Sequence, residues 1–290
     1  MRHLLRSAAM AVAAGLAAPA LAQNAPAASP PDAGAAAAAG GDSLTIGAGG
    51  AYLPDYEGSD HNHWRPAPGA IGSFHGFNFT LAGNRLSIDL IPSKPGPTWD
   101  VELGPVGVVN FNRTSTRSIG DPRIKALGKV DTAIELGGYA GIGKTGVITS
   151  DYDRLSVSLS YRHDVSGVHD GAIISPSINY LTPLSRKIVV GIFASAEHAD
   201  DGYAQTYYSV SAPQTAVSGL PTYAAHGGWK NYTLGALGAV SITGDLTRGF
   251  KLVGGGTYAR LLNSFSYSPV TRVAGDPNQW LGIVGLAYTF

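Results

Sequence analysis

The chain has 290 residues, with Lys+Arg 20 against Asp+Glu 20 and a formal net charge of +0, so no basic excess directs it to nucleic acid or an anionic lipid surface. Charged residues are only 14% of the chain, against roughly 25% in ordinary soluble domains. Cys is 0, which excludes a disulfide framework and a thiolate metal site.

The chain begins "MRHLLRSAAMAVAAGLAAPALAQ". Arg2 and Arg6 form a basic n-region, Ala8 to Ala18 is an apolar core too short to span a bilayer, and Ala20-Leu21-Ala22 supplies a small-x-small cleavage signal. This predicts a signal peptide over 1–22, a mature chain from Gln23, and export from the cytoplasm. The Ala, Pro and Gly of 23–42 cannot bury a core and predict a flexible leader. Residues 43–290 are the expected folded domain. Beyond the signal peptide no apolar run reaches roughly 18 residues, which excludes ordinary transmembrane helices.

Through the domain, apolar residues fall on alternate positions. In "LSVSLSYRHD", Leu155, Val157, Leu159 and Tyr161 oppose Ser156, Ser158, Ser160, Arg162 and Asp164. "WDVELGPVGVVNF" and "YTLGALGAVSI" repeat the pattern. Strands are expected over 43–53, 66–79, 84–92, 98–112, 131–143, 153–165, 171–182, 187–199, 203–211, 229–243, 250–262 and 279–290. That makes an all-β fold: a transmembrane antiparallel up-and-down β-barrel of about twelve strands, with ten as the alternative. Pro105 and Pro176 fall inside strands and predict ladder irregularities. Connections 54–65, 113–130, 212–228 and 263–278 are expected surface loops or plugs.

The faces separate a membrane barrel from a soluble sandwich. One face has almost no charge; the other is Ser, Thr, Gly and Asn with isolated ions, Asp89, Glu102, Glu135, Arg162, Asp164 and Glu197, expected to line the lumen. Aromatic residues at strand ends, such as Trp99 with Phe111 and Trp280 with Phe290, match interfacial girdles. The outer membrane of a Gram-negative bacterium, with its lipid as partner, is the expected location.

"GYAGIGKT" fits the phosphate-loop pattern G-x-x-x-x-G-K-[ST], but strand and turn follow it rather than the helix a phosphate loop needs, so no nucleotide is expected. In "DYEGSDHNHW", Asp55, Glu57, Asp60, His61 and His63 form a candidate surface-loop cluster with oxygen and imidazole donors; its spacing matches no metal site, and a solvated loop is the simpler reading. Ser160 and His163 face opposite sides of one strand, which defeats a catalytic triad with Asp164. No catalytic set, cofactor site or metal site is expected.

"YLPDYEGSD", "LGKVDTAIELGGY", "YAQTYYSVSAPQTAVSGLPTYAAHGGWKN", "YARLLNSFSYSPV" and "GLAYTF" together resemble the MipA/OmpV family, whose pattern they follow in order across most of the chain after Asp42, with Tyr208 where Phe is the expected residue. The resemblance implies an outer-membrane barrel and a scaffold joining a murein-cleaving lytic transglycosylase to a murein-synthesising penicillin-binding protein. It also implies links to adhesion and surface antigenicity. The residues themselves leave a second reading open, a narrow pore for small solutes; an enzyme is the weakest.

Overall fold

The computed structural model describes residues 42–93 and 96–290; the expected signal peptide and residues 23–41 of the leader lie outside the described residues. Twelve antiparallel strands close into one barrel. They are β1 (Ser43–Pro54), β2 (Asn62–Phe74), β3 (Phe77–Ala82), β4 (Arg85–Ile88), β5 (Trp99–Asn110), β6 (Ala133–Thr145), β7 (Arg154–Asp164), β8 (Ala172–Pro183), β9 (Ile188–Ala199), β10 (Gly228–Ser241), β11 (Gly249–Leu261) and β12 (Asn278–Thr289). β12 pairs with β1, and the Thr45 and Thr289 hydroxyls meet at 2.6 Å across that seam.

The two-residue period decides which face is which. On β7, Leu159 is 54% exposed and Arg162 only 2%. Exposed apolar side chains therefore point away from the barrel axis and buried ions point inward, the reverse of a water-soluble barrel. Two aromatic belts bound the outer face. Trp99, Phe250, Tyr288 and Phe290 mark one, and Tyr52, Trp64, Trp229 and Trp280 the other, all exposed. From Trp280 to Tyr288 the chain runs about 26 Å along a strand, or roughly 20 Å along a tilted barrel's axis, close to the apolar band of an outer-membrane barrel.

The count of twelve is as expected, but two segments exchange places. The expected strand 203–211 is instead a helix, α2 (Asp201–Tyr208), N-capped by Asp200, whose carboxylate accepts from Tyr203 N–H at 3.3 Å. Its Tyr203, Ala204, Tyr207 and Tyr208 are buried on one helical face, at a spacing that outweighs the β-propensity of tyrosine. The missing strand comes from 66–92, where β2, β3 and β4 replace the two strands expected. His75 and Gly76, at φ 53 and 85, make the tight turn that divides them. Pro105 and Pro176 each interrupt the ladder on one side of their strand. The β4–β5 register stops at Ser87↔Val106, before Pro105, and the β8–β9 register omits Ser175 and Pro176.

The β3–β4 hairpin is short, so β2 is paired on both sides only as far as Gly69↔Ala82 and Asn62–Pro68 pairs with β1 alone. Pro68 O accepts from Gly83 N–H on the hairpin side, which places the missing N–H of Pro68, and by period that of Pro66, on this free edge. An edge without those donors is a poor template for another strand.

Connections 55–61, 111–132, 165–171, 200–227 and 262–277, among them the three longest, leave one rim; the described chain start, Phe290 and, apart from turn 83–84, the other inter-strand connections, all of ten residues or fewer, lie toward the other. The rim loops fold inward around α1 (Pro122–Ala126), α2, α3 (Ala212–Ser218), α4 (Asn263–Tyr267) and α5 (Pro269–Arg272). One apolar cluster joins Tyr203, Tyr207, Tyr208 and Phe265 to wall residues Ile173 and Leu261; a second joins Tyr56, Ile119, Ile124, Leu220 and Val270. Together they form a plug. None of its helices is long and apolar enough to cross a membrane.

At the opposite rim, Asp153 organises turn 146–153 by accepting from Val147, Ile148 and Thr149 N–H at 2.6, 2.8 and 2.6 Å and from Tyr180 O–H at 2.8 Å. Desolvation raises this carboxyl's pKa, but the four donors outweigh it and hold it well below the usual aspartate range. A folded-state pKa below the unfolded one gives stability present above about pH 4 and lost as pH falls through the folded value. Asp153→Asn is expected to cost about 1 kcal/mol, discounted for the solvent-facing rim, and to flatten acid sensitivity between about pH 2 and 5, read from urea midpoints in detergent.

Candidate functional site: the charged interior beneath the plug

The wall supplies charges in pairs that the strand register brings together. Glu135 of β6 faces Asp164 of β7, two residues beyond Arg162, and Arg162 Nε reaches Glu135 at 2.5 Å. Arg162 Nη2 reaches Glu197 of β9 at 2.7 Å. Glu197 also pairs with Lys230 at 2.7 Å, and Lys230 with Glu57 at 2.7 Å. Lys230 sits inside because the β9–β10 register shifts between Trp229 and Asn231; it is the extra residue of a bulge, and its side chain is fully buried.

Plug and wall meet through this chain of charges. Glu57, from the first rim loop, accepts from Tyr203 O–H of α2 at 2.7 Å. His169, from loop 165–171, approaches Glu135 at 3.3 Å and packs edge-on against Tyr203, ring centroids 5.1 Å apart. Asn110 donates to Glu135 at 2.9 Å. Arg113, at φ 58, donates to the carbonyls of Tyr207 and Thr206 at 3.1 and 3.2 Å, placing a cation at the C-terminal end of α2. Two buried charges without partners would be costly; here each carboxylate has a counter-ion and further donors.

A second group lies nearer the other rim. Arg154 Nη2 donates to Asp100 at 2.7 Å and to Glu102 at 2.6 Å. Asp89 accepts from the N–H groups of Ile91 and Leu103, both at 3.1 Å. Asp164 closes loop 165–171 by accepting from Ser166, Val168 and His169 N–H at 2.8, 2.7 and 2.7 Å. The six ions read from the alternation thus occupy two interior groups and one rim turn.

"GYAGIGKT" lies in β6, with no helix after it. A Cβ on Gly143 would sit 2.7 Å from Arg154 Nη2, and one on Gly141 would sit 2.9 Å from Ser158 Cβ. These glycines make room for the Arg154 ion group. Lys144 points outward, its ammonium 5.3 Å from the Trp99 ring centroid.

The candidate loop cluster is divided. Asp55 is buried, accepting from Gly120 N–H at 2.7 Å and pairing with His63; Glu57 turns inward to Lys230; Asp60 and His61 pair outside at 2.7 Å, which holds the His61 imidazole above its ordinary pKa. Among the described residues no group of His and acidic side chains is arranged to hold a metal. Ser160 is buried inside the barrel while His163 points outward, as the alternation requires.

A search of curated proteins found no match. Among solved structures, the chain is similar to the outer membrane channel DcaP of Acinetobacter baumannii, at 11% identity and TM-score 0.38, over 86% of this chain and 96% of that one. It is also similar to the outer membrane protein OprD of Pseudomonas aeruginosa, at 9% identity and TM-score 0.37, over 78% and 55% of the two chains. A third is the Pseudomonas putida toluene transporter TodX, at 10% identity and TM-score 0.33, over 86% and 89%. The sequence profile of the family described as MltA-interacting protein MipA matches residues 46–290, nearly the whole barrel. With its closed twelve-strand wall and lipid-facing apolar surface, the chain belongs to the MipA family of outer-membrane β-barrels.

Proposed function

We propose that the protein is a non-enzymatic scaffold of the outer membrane that joins a murein-cleaving lytic transglycosylase to a murein-synthesising penicillin-binding protein. The observation that carries this reading is the plug: rim loops with their own apolar cores, tied to the wall by Glu57, Lys230 and His169, occupy the mouth of the barrel. A barrel closed in this way serves better as a rigid platform than as a conduit. The family description, which names an interaction with MltA, supports the choice of partner. Long loops of such barrels face outward and short turns face the periplasm, so the rim bearing Phe290 is the docking face for murein enzymes. The separation of Ser160 from His163 favours a non-catalytic role.

The test has two arms. Purified protein in planar bilayers is expected to give no discrete conductance steps, and when immobilised it is expected to retain a purified lytic transglycosylase and a penicillin-binding protein together. Discrete steps without retention would replace the scaffold by a pore. That second reading is favoured by the half-exposed inner wall below the plug, where Ser158, Ser177 and Asn179 meet solvent.

A further inference from the structure

The plug carries a groove of about 660 Å³ between α2, α3 and residues 222–224. That volume lies in the range of small-ligand sites, roughly 300–1,000 Å³. On α2, Tyr203 and Tyr207 turn toward Glu57 and His169 of the interior, and Gln205 and Thr206 lie on the opposite face, toward the groove. Ser211, Ala212, Thr222 and Ala224 are exposed along its edge, so solvent enters it.

The floor of the groove is fixed before any ligand arrives. Val210 and Tyr223 exchange two backbone hydrogen bonds, both at 2.9 Å, in an isolated antiparallel bridge. Tyr223 O–H donates to Ser264 O at 2.9 Å, which holds its half-buried ring in place. Gln214 Oε1 accepts from Ser211 N–H and O–H at 2.8 and 3.0 Å, closing the first turn of α3. A site held in this way loses little freedom on binding.

No lining residue is charged, in contrast to the ion-rich interior beneath. The polar lining is amide and hydroxyl, and the side chains of Gln205, Thr206 and Thr222 make no hydrogen bond among the described residues. An ionic ligand would find no counter-charge here. An apolar one would strip water from these groups and return no hydrogen bond. A neutral polyhydroxylated ligand meets both conditions. Its hydroxyls donate and accept, as amides and threonine hydroxyls do, and its C–H faces suit the apolar body of the Tyr223 ring.

We infer that the groove between α2, α3 and residues 222–224 binds a short neutral oligosaccharide, with Gln205, Thr206 and Thr222 as its uncommitted hydrogen-bonding groups and Tyr223 as its apolar platform. The sugar comes either from a glycolipid of the same membrane or from free glycan in the medium; the chemistry of recognition is the same. The site lies on the rim opposite Phe290 and needs neither a murein enzyme nor a conducting pore, so it stands apart from the scaffold reading.

The experiment is a saturation-transfer NMR titration of the full chain in a zwitterionic detergent, since a sugar-headed detergent would compete. The probes are neutral trisaccharides of glucose, galactose, mannose and N-acetylglucosamine, each titrated alone. At least one is expected to bind, with saturation strongest at its ring C–H protons. Gln205→Leu and Thr222→Val keep the size of each side chain and remove its hydrogen-bonding groups. Each should weaken that binding about fivefold, and the two together at least about tenfold, whereas Thr222→Ser, which keeps the hydroxyl, should stay within about twofold. Both positions are exposed, so circular dichroism and heat-modifiable gel migration should remain those of the parent. Purified lipopolysaccharide added as a competitor separates the sources: displacement assigns the sugar to the membrane glycolipid, and its absence assigns it to free glycan. Failure of every trisaccharide to bind, tighter binding of a sialylated trisaccharide than of any neutral one, or equal binding by the parent and the double variant overturns the site.

Discussion

Arg162→Met is expected to destabilise the barrel by about 3–5 kcal/mol, the cost of removing one partner from a buried ion pair. The side chain is 3% exposed and bridges Glu135, 0% exposed, to Glu197. Methionine fills much of the volume but leaves both carboxylates inside, with Lys230 the one lysine or arginine among the described residues still in contact with either. A cavity effect alone would be smaller, because a long side chain is retained. The double variant Arg162→Met, Glu135→Gln separates the two causes. Removing the orphaned charge should recover about half of the loss, because Asn110 and His169 still meet the amide, whereas a packing defect would leave the double variant no better than the single one. Urea midpoints in detergent, followed by tryptophan fluorescence, provide the measurement. A change under about 1 kcal/mol in the single variant would show that water in the lumen screens the network.

The wall was legible in the sequence because a membrane barrel writes its two faces on alternate residues. Leu155 to Asp164 gave strand, face and ions together, and the same rule placed Glu135, Glu197 and Asp89. The plug was not legible, for a different reason at each point. Tyr203–Tyr208 has the composition of a strand, and only its spacing on one helical face, together with the Asp200 cap, marks a helix. Lys230 breaks the alternation because it is a bulge residue, which hides its inward aim from any period-two reading. Glu57 and His169 lie in loops with no periodicity, and their partners are far away in sequence. The phosphate-loop match shows the converse error: Gly141 and Gly143 follow a ligand pattern by coincidence while making room for Arg154.

Phe265→Ala tests whether the plug and the wall are separate stability units. Phe265 of α4 is fully buried and meets Tyr208 edge-to-face, ring centroids 5.1 Å apart, at the centre of the larger apolar cluster. Truncation should remove about 3–5 kcal/mol from whatever folds cooperatively with that ring. The strand ladders do not depend on it, since β10, β11 and β12 pair along nearly their whole length. The loss is therefore expected to fall on the plug: proteolysis within 200–227 should accelerate by at least about a hundredfold while strand content by circular dichroism stays unchanged, as local opening predicts. Under the same conditions the bilayer experiment should register conductance steps absent from the parent, because the apolar cluster that closes the mouth is loosened. Phe265→Leu, which keeps most of the volume, should show neither effect strongly. If Phe265→Ala instead unfolds the wall in parallel with the plug, the rim loops are part of the barrel's own folding unit, and no state with an open mouth and an intact wall is accessible to this chain.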